Sequence, residues 1–141
     1  MWAKNFRNRL SSWVELRSLA RQEPLNLALT RINEFWFAAP WQPYFLHWDD
    51  KQTWPDPWQL LDDNIFCDIA RGLGMCYTIS MLDHADLEYF EFVGTKNSNL
   101  VLVNNKKYIL NYVQNSIVNT NLESEKILHR LTSDDIKQKL N

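Results

Sequence analysis

Two prolines and an acidic run lead into an apolar helical stretch: Trp54-Pro55-Asp56-Pro57-Trp58-Gln59-Leu60-Leu61-Asp62-Asp63-Asn64-Ile65-Phe66-Cys67-Asp68-Ile69-Ala70. Proline interrupts any helix arriving from upstream, so a new one must start here. Asp62, Asp63 or Asn64 is its expected N-cap. Ile65, Phe66, Ile69, Leu73, Cys76 and Ile79 recur at helical spacing and mark a face that needs a partner. Cys67 then falls at the positive end of the helix dipole, where a nucleophilic thiol is activated. Gly72 and Gly74 each cost about 1 kcal/mol against alanine in a helix. They either allow close packing against a sheet or end the helix early, leaving Met75–Leu82 as a strand; one long helix is the reading adopted.

Upstream, residues 5–22 read as a helix with Phe6, Leu10, Trp13, Leu16 and Ala20 on one side and arginines on the other. A second helix spans about Leu25–Phe37, with Pro24 at its start and Pro40 beyond its end. Residues 38–63 read as an aromatic, proline-rich loop. Downstream, Leu87–Val93, Asn99–Val103 and Lys107–Val113 alternate or are β-branched, with turns at Gly94–Ser98 and Asn104-Asn105-Lys106. They predict a three-stranded antiparallel meander. Residues 114–123 read as polar linker. Ser124–Leu131 and Ser133–Leu140 read as amphipathic helices, the second capped by Thr132 or Ser133 with Asp134 and Asp135 in its first turn. The expected fold is α+β, with helices packed on a small antiparallel sheet and helical extensions at both ends. It is divided as 1–24 extension, 25–113 core and 114–141 tail within a single domain.

At 141 residues and a net charge of −2, with 15 basic and 17 acidic side chains, the chain is sized for one core and lacks the positive excess of a phosphate-neutralising protein. No nucleic-acid partner is expected, although Arg7, Arg9, Arg17, Arg21 and Arg31 crowd the first quarter, most readily as the solvated side of two helices, with docking onto an acidic neighbour as the minor reading. No apolar run reaches the roughly 18 residues of a membrane span. No apolar region follows the basic residues of the start, so the chain reads as made in the cytoplasm with reduced thiols. Cys67 and Cys76 on one helix lie about 13 Å apart along its axis at about 1.5 Å per residue, too far for a disulfide. Two cysteines and three scattered histidines give no paired metal-ligand spacing. Asp49-Asp50 and Asp62-Asp63 have the chemistry to bind a hard cation, but read first as helix caps or solvated loop residues. With three glycines there is no phosphate loop. No metal or cofactor is expected.

The order of helices, aromatic loop, cysteine at a helix start and antiparallel strands resembles the core of the transglutaminase-like (papain-like) superfamily, above all the bacterial transglutaminase-like cysteine peptidases. There a Trp/Pro-x-Glu-x-Leu stretch precedes a Gly-x-Gly-Asp-Cys-x-Asp-x-Ala type of motif. Trp54, Pro57, Gln59, Leu60, Leu61, Cys67 and Ala70 stand at comparable places. In the family a histidine opens a later strand and an aspartate closes the next. Here the strands read Asn99-Leu100-Val101-Leu102-Val103 and Tyr108-Ile109-Leu110-Asn111. The resemblance therefore implies that Asn99 replaces the base and Asn111 the orienting carboxylate, while Asn64 and Phe66 replace the Gly and Asp before the cysteine. An asparagine accepts no proton near neutral pH. Cys67, Asn99 and Asn111 thus read as vestigial, and no catalytic residue is expected.

The implied role is a non-catalytic interaction or assembly subunit, and similarity to short cores of this kind carried by tailed bacteriophages suggests a virion protein of the baseplate, tail or neck. Two alternatives stay open: a cysteine hydrolase or transferase using Cys67 with His47 or His84 as base, and a small regulator binding a host enzyme. All seven tryptophans lie in the first 58 residues. Trp41, Trp48, Trp54 and Trp58 are either packing residues or a partner-binding surface, since tryptophan is favoured at interface centres.

Overall fold

The computed structural model describes residues 2–43, 46–118 and 125–140. Helices α1 (Phe6–Gln22), α2 (Leu25–Phe37), α3 (Pro57–Asp63), α4 (Asp68–Leu82) and α5 (Ser133–Gln138) surround one face of a five-stranded antiparallel sheet. Its strands are β1 (Phe90–Gly94), β2 (Asn99–Val103), β3 (Tyr108–Val113), β4 (Ser116–Val118) and β5 (His129–Thr132), ordered β4-β3-β2-β1-β5. The α+β class and its helices at both ends hold.

The core is built around α4, which is buried almost all round: Leu73, Met75, Cys76, Tyr77, Thr78 and Leu82 have no accessible surface. Gly72 lets this helix approach the sheet, because a Cβ there would lie 2.5 Å from the Phe92 ring and 2.9 Å from Asn111 Nδ2. Gly74 does the same toward the Trp36 ring of α2, at 2.6 Å. The two glycines are therefore packing positions inside one helix. Thr78 resolves the polar problem of so aromatic a core. Its Oγ1 accepts from Trp13 Nε1 at 2.8 Å and Trp36 Nε1 at 3.0 Å, and donates to Gly74 O.

Several expectations are corrected. The helix bearing Cys67 starts at Asp68, not near Asn64, because Asn64 closes a separate helix in the left-handed conformation at φ 56°. Asparagine tolerates that conformation. The stretch 38–63 is not all loop: Trp48–Thr53 forms a 3₁₀ helix, and Asp56 caps α3 by accepting from Gln59 N with Pro57 in its first turn. The first strand starts at Phe90, the third at Tyr108. The helix expected over Ser124–Leu131 is absent from residue 125 onward; β5 instead pairs with the open edge of β1 and buries Leu131. Strand β4 occupies part of the expected linker, whose residues 119–123 lie outside the described ones, as does Ser124. The turn 104–106 holds three successive left-handed residues, Asn104, Asn105 and Lys106. Thr132 and Asp135 form a reciprocal cap on α5.

The arginines of α1 and α2 are not simply solvated. Arg9 is buried, giving Nε to Leu61 O at 2.7 Å and Nη1 to Lys4 O at 2.6 Å. Arg21 donates to Leu82 O and Met81 O at the C-terminus of α4. Arg31 pairs with Glu23. Among the described residues no helix is long and apolar enough to cross a membrane.

Candidate functional site

Cys67 is the N-cap of α4, extended at φ −90° and ψ −177°. Its Sγ accepts from Ala70 N in the first turn and from Leu46 N in the loop above, both at 3.4 Å. That loop is tied down beside the cysteine by Gln42 N donating to Phe66 O at 2.7 Å, in a bridge between Trp41 and Phe66. Cys67 is 3% exposed and borders a cavity of about 210 Å³ lined also by Trp41, Pro43, Leu46, Asp68, Ile69 and Asn99.

Asn99 opens β2 on the face shared with Val101 and Val103, which turns it toward α4. Its amide is held at both ends. Trp48 Nε1 donates to Oδ1 at 2.7 Å, and Nδ2 donates to Asp68 Oδ2 at 2.9 Å. The fold thus brings Cys67 and Asn99 to one cavity. Asn111 sits one strand further, but its Nδ2 goes to the main-chain oxygens of Asp68 and Asn99, at 2.9 and 2.8 Å. The residue orienting the Asn99 side chain is Asp68, which sequence reasoning did not single out.

Arg71 completes the network. It gives Nε to Asn111 Oδ1 at 2.8 Å and Nη2 to Asp68 Oδ1 at 2.9 Å, with its guanidinium 3.9 Å from the Phe37 ring centre and 5.3 Å from that of Trp41. Burial pulls its pKa down, and the Asp68 charge opposes that shift. Both Asp68 oxygens are therefore engaged. The spacing of Asp68 and Arg71, one helical turn apart, was the one signal in the sequence that could have shown this pair.

The histidines go elsewhere. His84 Nε2 lies 2.7 Å from Glu23 O while Nδ1 accepts from Asp86 N, and His47 is an exposed residue at the start of the 3₁₀ helix. Among the described residues no hydrogen bond joins an imidazole to Sγ of Cys67. His129, which no motif places nearby, stacks on Trp48 with ring centres 5.1 Å apart and planes within 6°. Of the four tryptophans, Trp41 and Trp58 are exposed (57% and 40%), whereas Trp54 is buried and Trp48 half-buried against the core. Trp54 Nε1 donates to His47 O. Cys76 lies wholly inside, and burial pushes its thiol well up. Both cysteines are free. No protein-family model matches the chain, and neither a curated protein nor a solved structure matches it.

Proposed function

We propose that the protein is a non-catalytic interaction or assembly subunit, built on a core like that of the transglutaminase-like cysteine peptidases but without a proton acceptor for its thiol. The observation that supports this reading most is Asn99: it lines the cavity beside Cys67, with its amide fixed between Trp48 and Asp68. A neutral amide in that place takes no proton from a thiol, and the carboxylate behind it is already neutralised by Arg71. The resemblance seen in the sequence adds the setting, a structural subunit of a tailed-phage virion; that step is analogy, because fold does not fix function.

The test is alkylation of the folded protein by iodoacetamide between about pH 5 and pH 9. Slow labelling of Cys67 until the protein is denatured supports the reading. Fast labelling at neutral pH, or peptidase turnover lost in Cys67→Ser, overturns it. Co-elution with purified neighbouring virion subunits on size exclusion tests the assembly role.

One observation favours a second reading, a cysteine hydrolase. Two backbone N–H groups meet Sγ at the N-terminus of a 15-residue helix, which is what a nucleophilic thiolate requires. The same alkylation profile decides between the two.

A further inference from the structure

Arg17 differs from the other arginines that pack on this side of the molecule. Arg9 and Arg21 of α1 donate to main-chain carbonyls, and Arg31 of α2 pairs with Glu23. The Arg17 guanidinium lies over the Trp13 ring, 4.3 Å from its centre. Its Nε is shielded from solvent yet meets no acceptor, and among the described residues no carboxylate lies within ion-pair distance of it. Burial lowers its pKa, and the nearby Arg21 cation lowers it further. Among the described residues the Trp13 ring faces this cation, but no carboxylate balances its charge.

Around Arg17 the surface is apolar and aromatic. Trp13 meets Trp58 of α3 edge-on, with ring centres 6.5 Å apart, and Trp58 is 40% exposed. Val14, 46% exposed, lies three residues before Arg17, and Arg21 four residues after, so all three share one side of α1. Exposed Trp and Arg beside an aliphatic residue is the composition of an interface centre. A shielded guanidinium nitrogen without an acceptor is costly. An incoming carboxylate supplies both the acceptor and the counter-charge, in the forked geometry that suits arginine.

We propose that the patch formed by Val14, Arg17, Arg21 and Trp58 docks a carboxylate-bearing face of a partner protein. This names the surface behind the binding role proposed above and rests on that reading. The net charge of −2 makes a nucleic acid the poorer match for the same cations.

The experiment is fluorescence anisotropy with the full chain and three labelled probes: a peptide alternating glutamate and leucine, the same peptide with lysine for glutamate, and a duplex DNA. The glutamate peptide is expected to bind saturably and to weaken with salt. Arg17→Ala should weaken it about 10-fold or more, the scale of a charged hydrogen bond. Arg17→Lys should recover part of the loss, and Trp58→Ala should also weaken binding. Absence of saturable binding, equal binding of the lysine peptide, tighter binding of the DNA, or indifference to Arg17→Ala in a variant with native circular dichroism each overturns the proposal. The probe comparison on the unmodified protein stands even if a variant misfolds. A reactive Cys67 sinks the non-catalytic reading without touching this outcome, so the two failures are distinguishable.

Discussion

Asn33 of α2 holds the backbone of Asn111 in β3. Its Oδ1 accepts from Asn111 N at 2.9 Å, and its Nδ2 donates to Val113 O and Gln114 O at 2.9 and 3.1 Å. Asn111 is left-handed at φ 67°, inside the segment where the β3–β4 register shifts. Strict alternation from Leu110, which faces the helices, would turn Asn111 to the opposite side. The kink returns its side chain to Asp68, Asn99 and Arg71.

Asn33→Ala strips three hydrogen bonds, one from the buried Asn111 N and two from the more accessible carbonyls of Val113 and Gln114. The expected loss is about 1–3 kcal/mol, the usual cost of one unsatisfied buried group, with no change of fold. Urea unfolding measures it; a loss below about 0.5 kcal/mol would mean that the bulge stands without Asn33.

Thr78→Val keeps shape but removes the acceptor shared by Trp13 and Trp36. Two buried indole N–H groups are left without partners, for an expected cost of about 2–4 kcal/mol. The melting temperature should fall and the near-ultraviolet tryptophan signal should change, whereas Thr78→Ser should keep most of the stability.

Asn99→His places an imidazole at the cavity shared with Cys67, where Asp68 can receive one ring N–H. Alkylation of Cys67 at neutral pH should accelerate by about 10-fold or more, short of the roughly 100-fold at which positioned general bases begin. Cys76, fully enclosed, should stay unlabelled until unfolding. An unchanged rate in a folded variant would show that position 99 does not face the sulfur.

Acid should act oppositely on two carboxylates. Asp135 is held below 3.8, first by the Thr132 backbone N–H it accepts and then by the Thr132 hydroxyl. Its contribution is complete above the unfolded value and disappears as pH falls through the lower folded one. Asp63 is raised by desolvation, then by Asp62 and Asp56, so its ionised form weakens the fold above its folded value and protonation relieves this. Asp135→Asn should therefore lower stability at pH 7 and flatten its decline in acid, while Asp63→Asn should raise stability at pH 7. Chemical denaturation at several pH values reads both signs.

Much of the fold was legible because it rests on local chemistry. The spacing of Leu25, Leu29, Ile32 and Trp36 sets α2, and Thr132 with Asp135 sets the cap of α5. The Asn104–Lys106 turn follows from Asn104 and Asn105, which tolerate positive φ; Lys106 takes it up at the end of the same turn. The Asp56-Pro57 start of α3 is equally local, but the surrounding prolines give the segment the look of a loop. The tail misled for the opposite reason. Residues 125–131 have an amphipathic helical pattern, yet the unpaired edge of β1 offers Leu131 and Arg130 more: a buried site, and an ion pair with Glu91 at 2.6 Å.

The order of residues alone determined that a thiol heads an apolar helix and that asparagines stand in the strands following it, since both depend on neighbours within a few turns of chain. Which groups surround that thiol was decided only in three dimensions. The left-handed kink at Asn111, the Trp48 indole on Asn99 and the Arg71 guanidinium on Asn111 join residues up to 51 positions apart. Such contacts leave no periodic trace in a sequence, because they are fixed by how the helices and the sheet meet.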